Sequence, residues 1–334
     1  MKVVLFDLEQ NEIETYKQLL TNSSDVSCHT EPLNEDSLSM ASDAEVISVF
    51  VTSRITSDMF SKLTNLKYIV CRSTGYDNVD TKAAKEKDIV VCNVPNYGEH
   101  TVAEYAFTLL LSLTRKLQDS ISQVQQGKID HTKLVGTDLA GSTLGVIGAG
   151  RIGQRMITIA NGFEMKVIAY DPFAKPEVAK KLGFEYVELD ELFARADIVT
   201  LHVPGGKNND AIINESTLEK FKDGALLINT ARGDLVDNVA LIEALENGKL
   251  AGAGLDVLDG ESMIDIDHEM ALLKKSTAKE LKLSAELAIL EKMPNVILSP
   301  HNAYNTHQAL QRIRKSTAET IIGFEDAKIQ NQVN

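Results

Sequence analysis

The run Gly148-Ala149-Gly150-Arg151-Ile152-Gly153 follows the apolar segment Leu144–Ile147, and its last glycine precedes Asp171 by eighteen residues, a spacing suited to holding a dinucleotide. The first glycine permits a tight strand-to-helix turn and the second brings backbone close to a pyrophosphate. The third lets the helix lie close on its strand, with the helix N-terminus facing the phosphates. A glycine triplet alone is a weak signal, because small residues recur in ordinary turns. A second apolar run, Lys166-Val167-Ile168-Ala169-Tyr170, strengthens it by delivering Asp171 where a carboxylate accepts hydrogen bonds from an adenosine ribose. Its charge would repel a 2′-phosphate, and Pro172, Phe173 and Ala174 supply no cation to hold one, so NAD is expected over NADP. An aspartate that merely starts a turn before Pro172 is the plainer alternative.

Three further residues stand past strand-like runs or beside turns: Arg232 in Asn229-Thr230-Ala231-Arg232-Gly233, Glu261 in Asp259-Gly260-Glu261, and His301 in Ser299-Pro300-His301-Asn302. In an open α/β sheet, ligands bind beyond the carboxyl ends of the strands. Singly, each residue has a bland explanation as a surface ion pair, a solvated turn or a cap. Together with a dinucleotide they supply what hydride exchange between an alcohol and a carbonyl requires. Histidine gives or takes a proton near neutral pH. A neighbouring carboxylate favours imidazolium and orients the ring, and arginine grips a carboxylate with two parallel hydrogen bonds.

The elements that must position these groups fall in two sets. Before the glycine run, Lys2–Phe6, Val46–Val51, Tyr68–Cys71 and Ile89–Cys92 are short apolar runs separated by helix-compatible segments, as in a parallel α/β sheet. Residues 93–98 break regular structure as a plausible hinge, and a helix is expected over Thr101–Leu117. After the glycine run, Ile198–Val203, Ala225–Asn229, Gly252–Val257 and Val296–Leu298 complete a doubly wound pattern. The stretch 274–292 reads as an amphipathic surface helix. The tail from His301 is too short to fold alone and is expected to return to the first lobe, making a hinged cleft.

Composition narrows the class. A chain of 334 residues with 43% apolar residues suggests two cores. It contains no apolar run approaching twenty residues and no secretory signal, so a cytoplasmic protein without a membrane span is expected. Cys28, Cys71 and Cys92 have no metal-binding spacing, and no metal is expected. The net charge of -14 argues against nucleic acid. Such acidity would also repel an anionic substrate, so one specific arginine is expected to govern binding; screening over about 8 Å lets a single pocket cation dominate.

At these residues the chain resembles the D-isomer-specific 2-hydroxyacid dehydrogenase family. The resemblance runs through Arg72-Ser73-Thr74-Gly75-Tyr76-Asp77-Asn78-Val79-Asp80, Asn93–Ala103 with Glu104, the glycine run, His202-Val203-Pro204, Asn229–Gly233, Leu255-Asp256-Val257 and Ser299-Pro300-His301. It implies a Rossmann-type doubly wound parallel sheet domain over 99–300, plus a smaller flavodoxin-like α/β domain made of 1–98 and 301–334. Arg232 would bind the substrate carboxylate, His301 would be the acid/base and Glu261 its partner. Thr74 and Gly75 amides, Tyr97 and Tyr304 would complete the substrate site. Gly148, Gly150, Arg151, Ile152, Gly153, Asp171, Val203, Pro204, Asn209, Thr230 and Asp256 would line NAD, with Asp256 meeting the carboxamide.

Within the family, the Tyr304-bearing loop and the long segment between Glu261 and His301 are more similar to D-lactate dehydrogenases than to phosphoglycerate dehydrogenases. A small 2-keto acid, pyruvate foremost, is therefore the expected substrate. Glyoxylate, hydroxypyruvate or a branched 2-keto acid is the alternative, and an NADH-sensing corepressor-like binding protein is a further one. A formate enzyme is disfavoured because the family pattern there places glutamine where Glu261 stands. The 262–292 stretch does not align residue by residue and leaves the pocket rim open. The resemblance also implies a homodimer, with Val102–Leu117 similar to the family's dimer element; a buried helix of the large domain is the other reading of that segment.

Overall fold

The computed structural model describes residues 1–21, 25–205, 211–259, 277–326 and 328–334, and of residues 279 and 280 only the backbone. The chain divides into two compact units, Met1–Tyr97 with Asn305–Asn334, and Gly98–Tyr304.

The first unit is a five-stranded, all-parallel sheet of β1 (Lys2–Leu5), β2 (Asp25–Cys28), β3 (Val46–Val49), β4 (Tyr68–Cys71) and β5 (Val90–Cys92). Its order is β2-β1-β3-β4-β5, the flavodoxin-like arrangement. Side chains along each strand alternate between faces, so the apolar runs split into two cores. Val4, Ile47, Val49, Ile69 and Val91 line one face. Val3, Leu5, Val46, Val70 and Cys92 line the other, against helix α1 (Ile13–Leu19) and the returning C-terminal helix described below. Helix α2 (Thr81–Glu86) is capped by Asp80, whose carboxylate accepts from the Ala83 amide. Strand β2 was not expected from the sequence: Asp25-Val26-Ser27-Cys28 is an edge strand with a polar, half-buried face, so it lacks the apolar density of its neighbours.

The second unit opens with α3 (Glu99–Thr114) and α4 (Leu117–Gln125). The single helix expected over Thr101–Leu117 is thus interrupted. Lys116 takes left-handed backbone, φ 48°, and the Thr114 carbonyl accepts from the Thr137 amide at 2.9 Å instead of continuing the helix. Helix α3 buries Ala103, Ala106, Phe107, Leu109 and Leu110, whereas α4 leaves Leu117, Ile121 and Val124 exposed.

There follow β6 (Thr143–Ile147), α5 (Arg151–Gly162), β7 (Lys166–Tyr170), α6 (Pro176–Leu182), β8 (Glu185–Tyr186), α7 (Leu189–Arg195), β9 (Ile198–Leu201), α8 (Glu215–Leu218), β10 (Ala225–Asn229), α9 (Asn238–Glu246), β11 (Leu250–Leu255), α10 (Ala278–Lys292) and β12 (Val296–Leu298). Chain order and sheet order disagree in an informative way. The parallel sheet runs β12-β11-β10-β9-β6-β7-β8, so the chain winds outward from β6 through β7 and then outward again from β9, leaving a switch point between β6 and β9.

Helix α10, expected as a plain surface helix, inserts Leu287 and Leu290 into the core, and Asn238 Nδ2 donates to Glu286 Oε2 at 3.3 Å. The last helix, α11 (His307–Glu325), belongs to the first unit, where Ala318, Ile321 and Phe324 pack on the sheet and Phe324 stacks on Tyr68. No helix among the described residues is long and apolar enough to cross a membrane.

Candidate active site

In the second unit the glycine run is the turn from β6 into α5. Gly148 has φ +95°, and a Cβ there would lie 2.5 Å from the His202 carbonyl oxygen. A Cβ on Gly153 would overlap the Gly148 carbonyl oxygen. Gly150 differs from both: it is exposed, and a Cβ on it would meet nothing within 4 Å. No contact among the described residues calls for glycine at 150, and the space beside it is what a closely approaching phosphate group needs. Helix α5 begins there with no side-chain cap, leaving its first N–H groups directed outward.

Asp171 closes the same turn. Its Oδ2 accepts from the Ala149 amide at 2.9 Å and its Oδ1 from the Phe173 amide at 2.8 Å, fixing a carboxylate one residue past β7. Across the switch point, the His202 amide donates to the Ile147 carbonyl at 2.8 Å, placing Val203 and Pro204 beside the turn. Past β10, Thr230 is buried and its hydroxyl has no partner among the described residues. Asn209 lies outside the described residues.

The ionisable groups sit further along the same edge. Asn229, Leu255 and Leu298 are level across β10, β11 and β12. Arg232, Asp256 and His301 therefore follow the ends of three adjacent strands, with β10 and β12 about 10 Å apart, twice the interstrand spacing. Asn229 fixes the Arg232 loop: its Oδ1 accepts from the Ala231 amide at 3.0 Å and its Nδ2 donates to the Arg232 carbonyl at 2.8 Å. Arg232 Nη1 donates to the Ala231 carbonyl at 2.7 Å.

Asp256 fixes the His301 loop. It is buried, and its Oδ1 accepts from the Ser299 hydroxyl at 2.6 Å and the Asn302 amide at 2.8 Å. Its Oδ2 accepts from the Ala303 amide at 2.7 Å, and its carbonyl from the His301 amide at 2.9 Å. Burial holds this carboxyl above the ordinary aspartate value despite those donors. His301 itself adopts φ +49°, a conformation this net of bonds imposes on a non-glycine residue. These bonds also keep His301 and Tyr304 in the second unit, whereas the sequence reading assigned them to the first. Glu261 lies outside the described residues.

In the first unit, the segment after β4 turns its carbonyls inward. Ser73 O accepts from the Val94 amide at 3.0 Å, Thr74 O from Asn93 Nδ2 at 2.8 Å, and Gly75 O from the Ser73 hydroxyl at 2.6 Å. The Thr74 and Gly75 amides have no acceptor among the described residues. Consecutive N–H groups without a partner in the chain are donors that an anion can take. Asn78 Nδ2 braces the turn by donating to Phe50 O at 2.7 Å and Ser53 O at 2.8 Å. Tyr97 is buried at the end of this unit's first segment, its carbonyl accepting from Arg312 Nε at 2.8 Å. The anchors Asn93 and Asn78, and the loop-holding task of Asp256, were not assigned from the sequence; the only hint was their position one to seven residues beyond an apolar strand.

A glycine cradle at a switch point, a carboxylate at the end of the next strand and a row of charged groups past adjacent strands fit a two-unit NAD-dependent oxidoreductase. The family described as D-isomer specific 2-hydroxyacid dehydrogenase, NAD binding domain, matches residues 107–303. The D-2-hydroxyacid dehydrogenase (NAD+) of Lacticaseibacillus paracasei is 35% identical over 328 residues, covering 97% of this chain and 96% of the relative. An aromatic 2-oxoacid reductase of Clostridium sporogenes is 36% identical over 333 residues, with 97% and 96% covered. Among solved structures, a D-lactate dehydrogenase from Aquifex aeolicus complexed with NAD and lactic acid superposes with a TM-score of 0.88 at 35% identity, covering 98% of this chain and 96% of that one. The chain belongs to the D-isomer-specific 2-hydroxyacid dehydrogenase family, and it is an NAD-dependent oxidoreductase.

Proposed function

We propose that the enzyme reduces a small 2-keto acid to the D-2-hydroxy acid, with pyruvate as the favoured substrate. The observation that carries this reading is the row of Arg232, Asp256 and His301 past β10, β11 and β12, on the same sheet edge as the glycine cradle. When bound, NADH supplies the hydride that C2 of the keto acid receives. Gly148–Gly153 with the α5 N-terminus hold the pyrophosphate, Asp171 the adenosine ribose, and Val203, Pro204, Asn209, Thr230 and Asp256 the remainder. Arg232 grips the substrate carboxylate as a two-pronged donor, as the Thr74 and Gly75 amides do from their own unit, with Tyr97 and Tyr304 completing the substrate set. His301 donates the proton that the developing alkoxide takes up, and Glu261 is assigned to keep its ring charged.

Keto-acid reduction then needs protonated His301 and hydroxy-acid oxidation needs the neutral ring, so the two pH–rate profiles slope in opposite directions. A panel of 2-keto acids followed by NADH absorbance tests the reading: turnover greatest with pyruvate supports it, and none across the panel overturns it. The relative acting on aromatic 2-oxo acids favours a second reading, a bulkier aromatic or branched substrate, which the same panel separates. The exposed Leu117, Ile121 and Val124 of α4 support a homodimer whose partner covers them; a monomer by sedimentation would remove that assignment.

A further inference from the structure

Arg72 is 3% exposed, yet it is paired with no carboxylate among the described residues. Its Nη2 donates to the carbonyls of Phe6 at 2.6 Å and Asp7 at 2.8 Å, and its Nη1 to Ser48 Oγ at 3.3 Å. The rings of Tyr16 and Phe50 stand 5.8 and 5.9 Å from the guanidinium carbon. All of these partners are neutral. Asp7, whose carbonyl is one of those acceptors, has its carboxylate hydrogen-bonded to the Phe50 amide and the Thr52 hydroxyl, each at 2.6 Å. The same unit treats another shielded arginine differently: Arg314 is neutralised by Glu12 at 2.9 Å.

A buried cation without an anion is unfavourable. A neutral side chain could bridge the same carbonyls without that cost, so the charge itself needs a reason. Arg72 immediately precedes Ser73-Thr74-Gly75, and the Thr74 and Gly75 amides have no acceptor among the described residues. We propose that Arg72 is a positioning residue that makes the Thr74–Gly75 amide pair selective for a substrate carrying a full negative charge. The bound carboxylate is then the counterion that the fold withholds. This rests on the reading above that those amides receive the substrate carboxylate.

The test compares pyruvate with pyruvamide, which keeps the reactive carbonyl but carries no charge, in the wild type, Arg72→Gln and Arg72→Lys. Arg72→Gln should lower kcat/KM for pyruvate by roughly ten-fold, mainly through KM, while pyruvamide changes by less than about two-fold. NADH affinity, read by fluorescence titration, should not move. Arg72→Lys retains the charge while losing the planar fork, and should keep the preference for pyruvate even if its melting temperature drops.

A wild-type enzyme that reduces no 2-keto acid, or that does not prefer pyruvate to pyruvamide, overturns the carboxylate reading itself. A wild-type preference that survives intact in Arg72→Gln, or equal losses on both substrates, overturns only the role of Arg72. Should Arg72→Gln fail to fold, a folded Arg72→Lys that loses the preference overturns that role as well.

Discussion

At the carboxyl edge of the seven-stranded sheet the groups suited to chemistry are side chains, Asp171, Arg232, Asp256 and His301, each standing one to three residues past a strand. At the carboxyl edge of the five-stranded sheet they are backbone amides, and the polar side chains there, Ser73, Asn78 and Asn93, serve to turn carbonyls inward. The two edges share a parallel architecture and differ in what a proton can reach. One edge carries groups that change charge with pH; the other presents N–H groups of fixed polarity on the segment that follows Arg72, whose guanidinium stays charged. A proton transfer belongs on the first edge and an anion grip suits the second.

The largest test of that division is removal of the proposed proton carrier, His301. His301→Ala should lower kcat by roughly 100- to 10,000-fold. Because residue 301 holds left-handed backbone, His301→Asn is the better-matched variant: asparagine tolerates that conformation, so lost turnover is separated from backbone strain. Single-turnover rates with saturating NADH check both, and full turnover in the asparagine variant would break the assignment of this edge to proton chemistry.

Two alanine substitutions in one turn sharpen the difference between glycines needed for folding and those needed for a ligand. Gly153→Ala forces a methyl against the Gly148 carbonyl oxygen and should destabilise the protein by about 1–3 kcal/mol or more. Gly150→Ala enters open space, so its urea midpoint should match the wild type while NADH binding weakens roughly ten-fold. Equal stability losses in the two variants would show that the cradle is merely a tight turn.

The loop anchors give a matched pair. Asp256→Asn sets an amide NH2 against one of the backbone donors its carboxylate now satisfies, at about 1–3 kcal/mol, and because that loop carries His301 the fall should appear in kcat. Asn93→Ala releases the Thr74 carbonyl, worth about 1 kcal/mol, and should appear in KM. If both variants changed the same kinetic constant, the division of labour between the edges would be wrong.

Much of this layout was legible in residue types. The apolar runs marked four of the five strands of the first sheet, and Ala225–Asn229 and Val296–Leu298 marked the strands that Arg232 and His301 follow. Glycines constrained by positive φ or close approach announced the turn at Gly148–Gly153. Strands β2 and β8 were not legible because a half-buried edge strand needs little apolar content. The break at Lys116 was hidden because a distant amide, that of Thr137, takes the carbonyl that would have extended the helix. The amide pair at Thr74 and Gly75 entered only through family resemblance, since which way a carbonyl turns depends on partners such as Asn93 that are remote in sequence.

The smallest expected effect concerns His202, which links the edge to the core. Its Nε2 meets Thr200 Oγ1 at 2.9 Å, its Nδ1 is shielded with no partner among the described residues, and burial pushes its pKa down to about 3. In the unfolded chain the ring titrates near its ordinary value of about 6.5. Above that value both states are neutral and the native state keeps its full stability. As pH falls from about 6.5 toward 3, the unfolded state takes up a proton that the native state refuses, so stability declines. Asp256 has the opposite sign, because its raised carboxyl protonates more readily in the native state, which offsets part of the loss at the acid end. His202→Asn, which cannot titrate, should flatten the fall in urea midpoint between about pH 6.5 and pH 5, whereas Asp256→Asn should leave it steeper toward pH 4. Parallel slopes in wild type and His202→Asn would mean that the ring titrates as it does in water, and the nucleotide edge would then be open to solvent at the point where it meets the core.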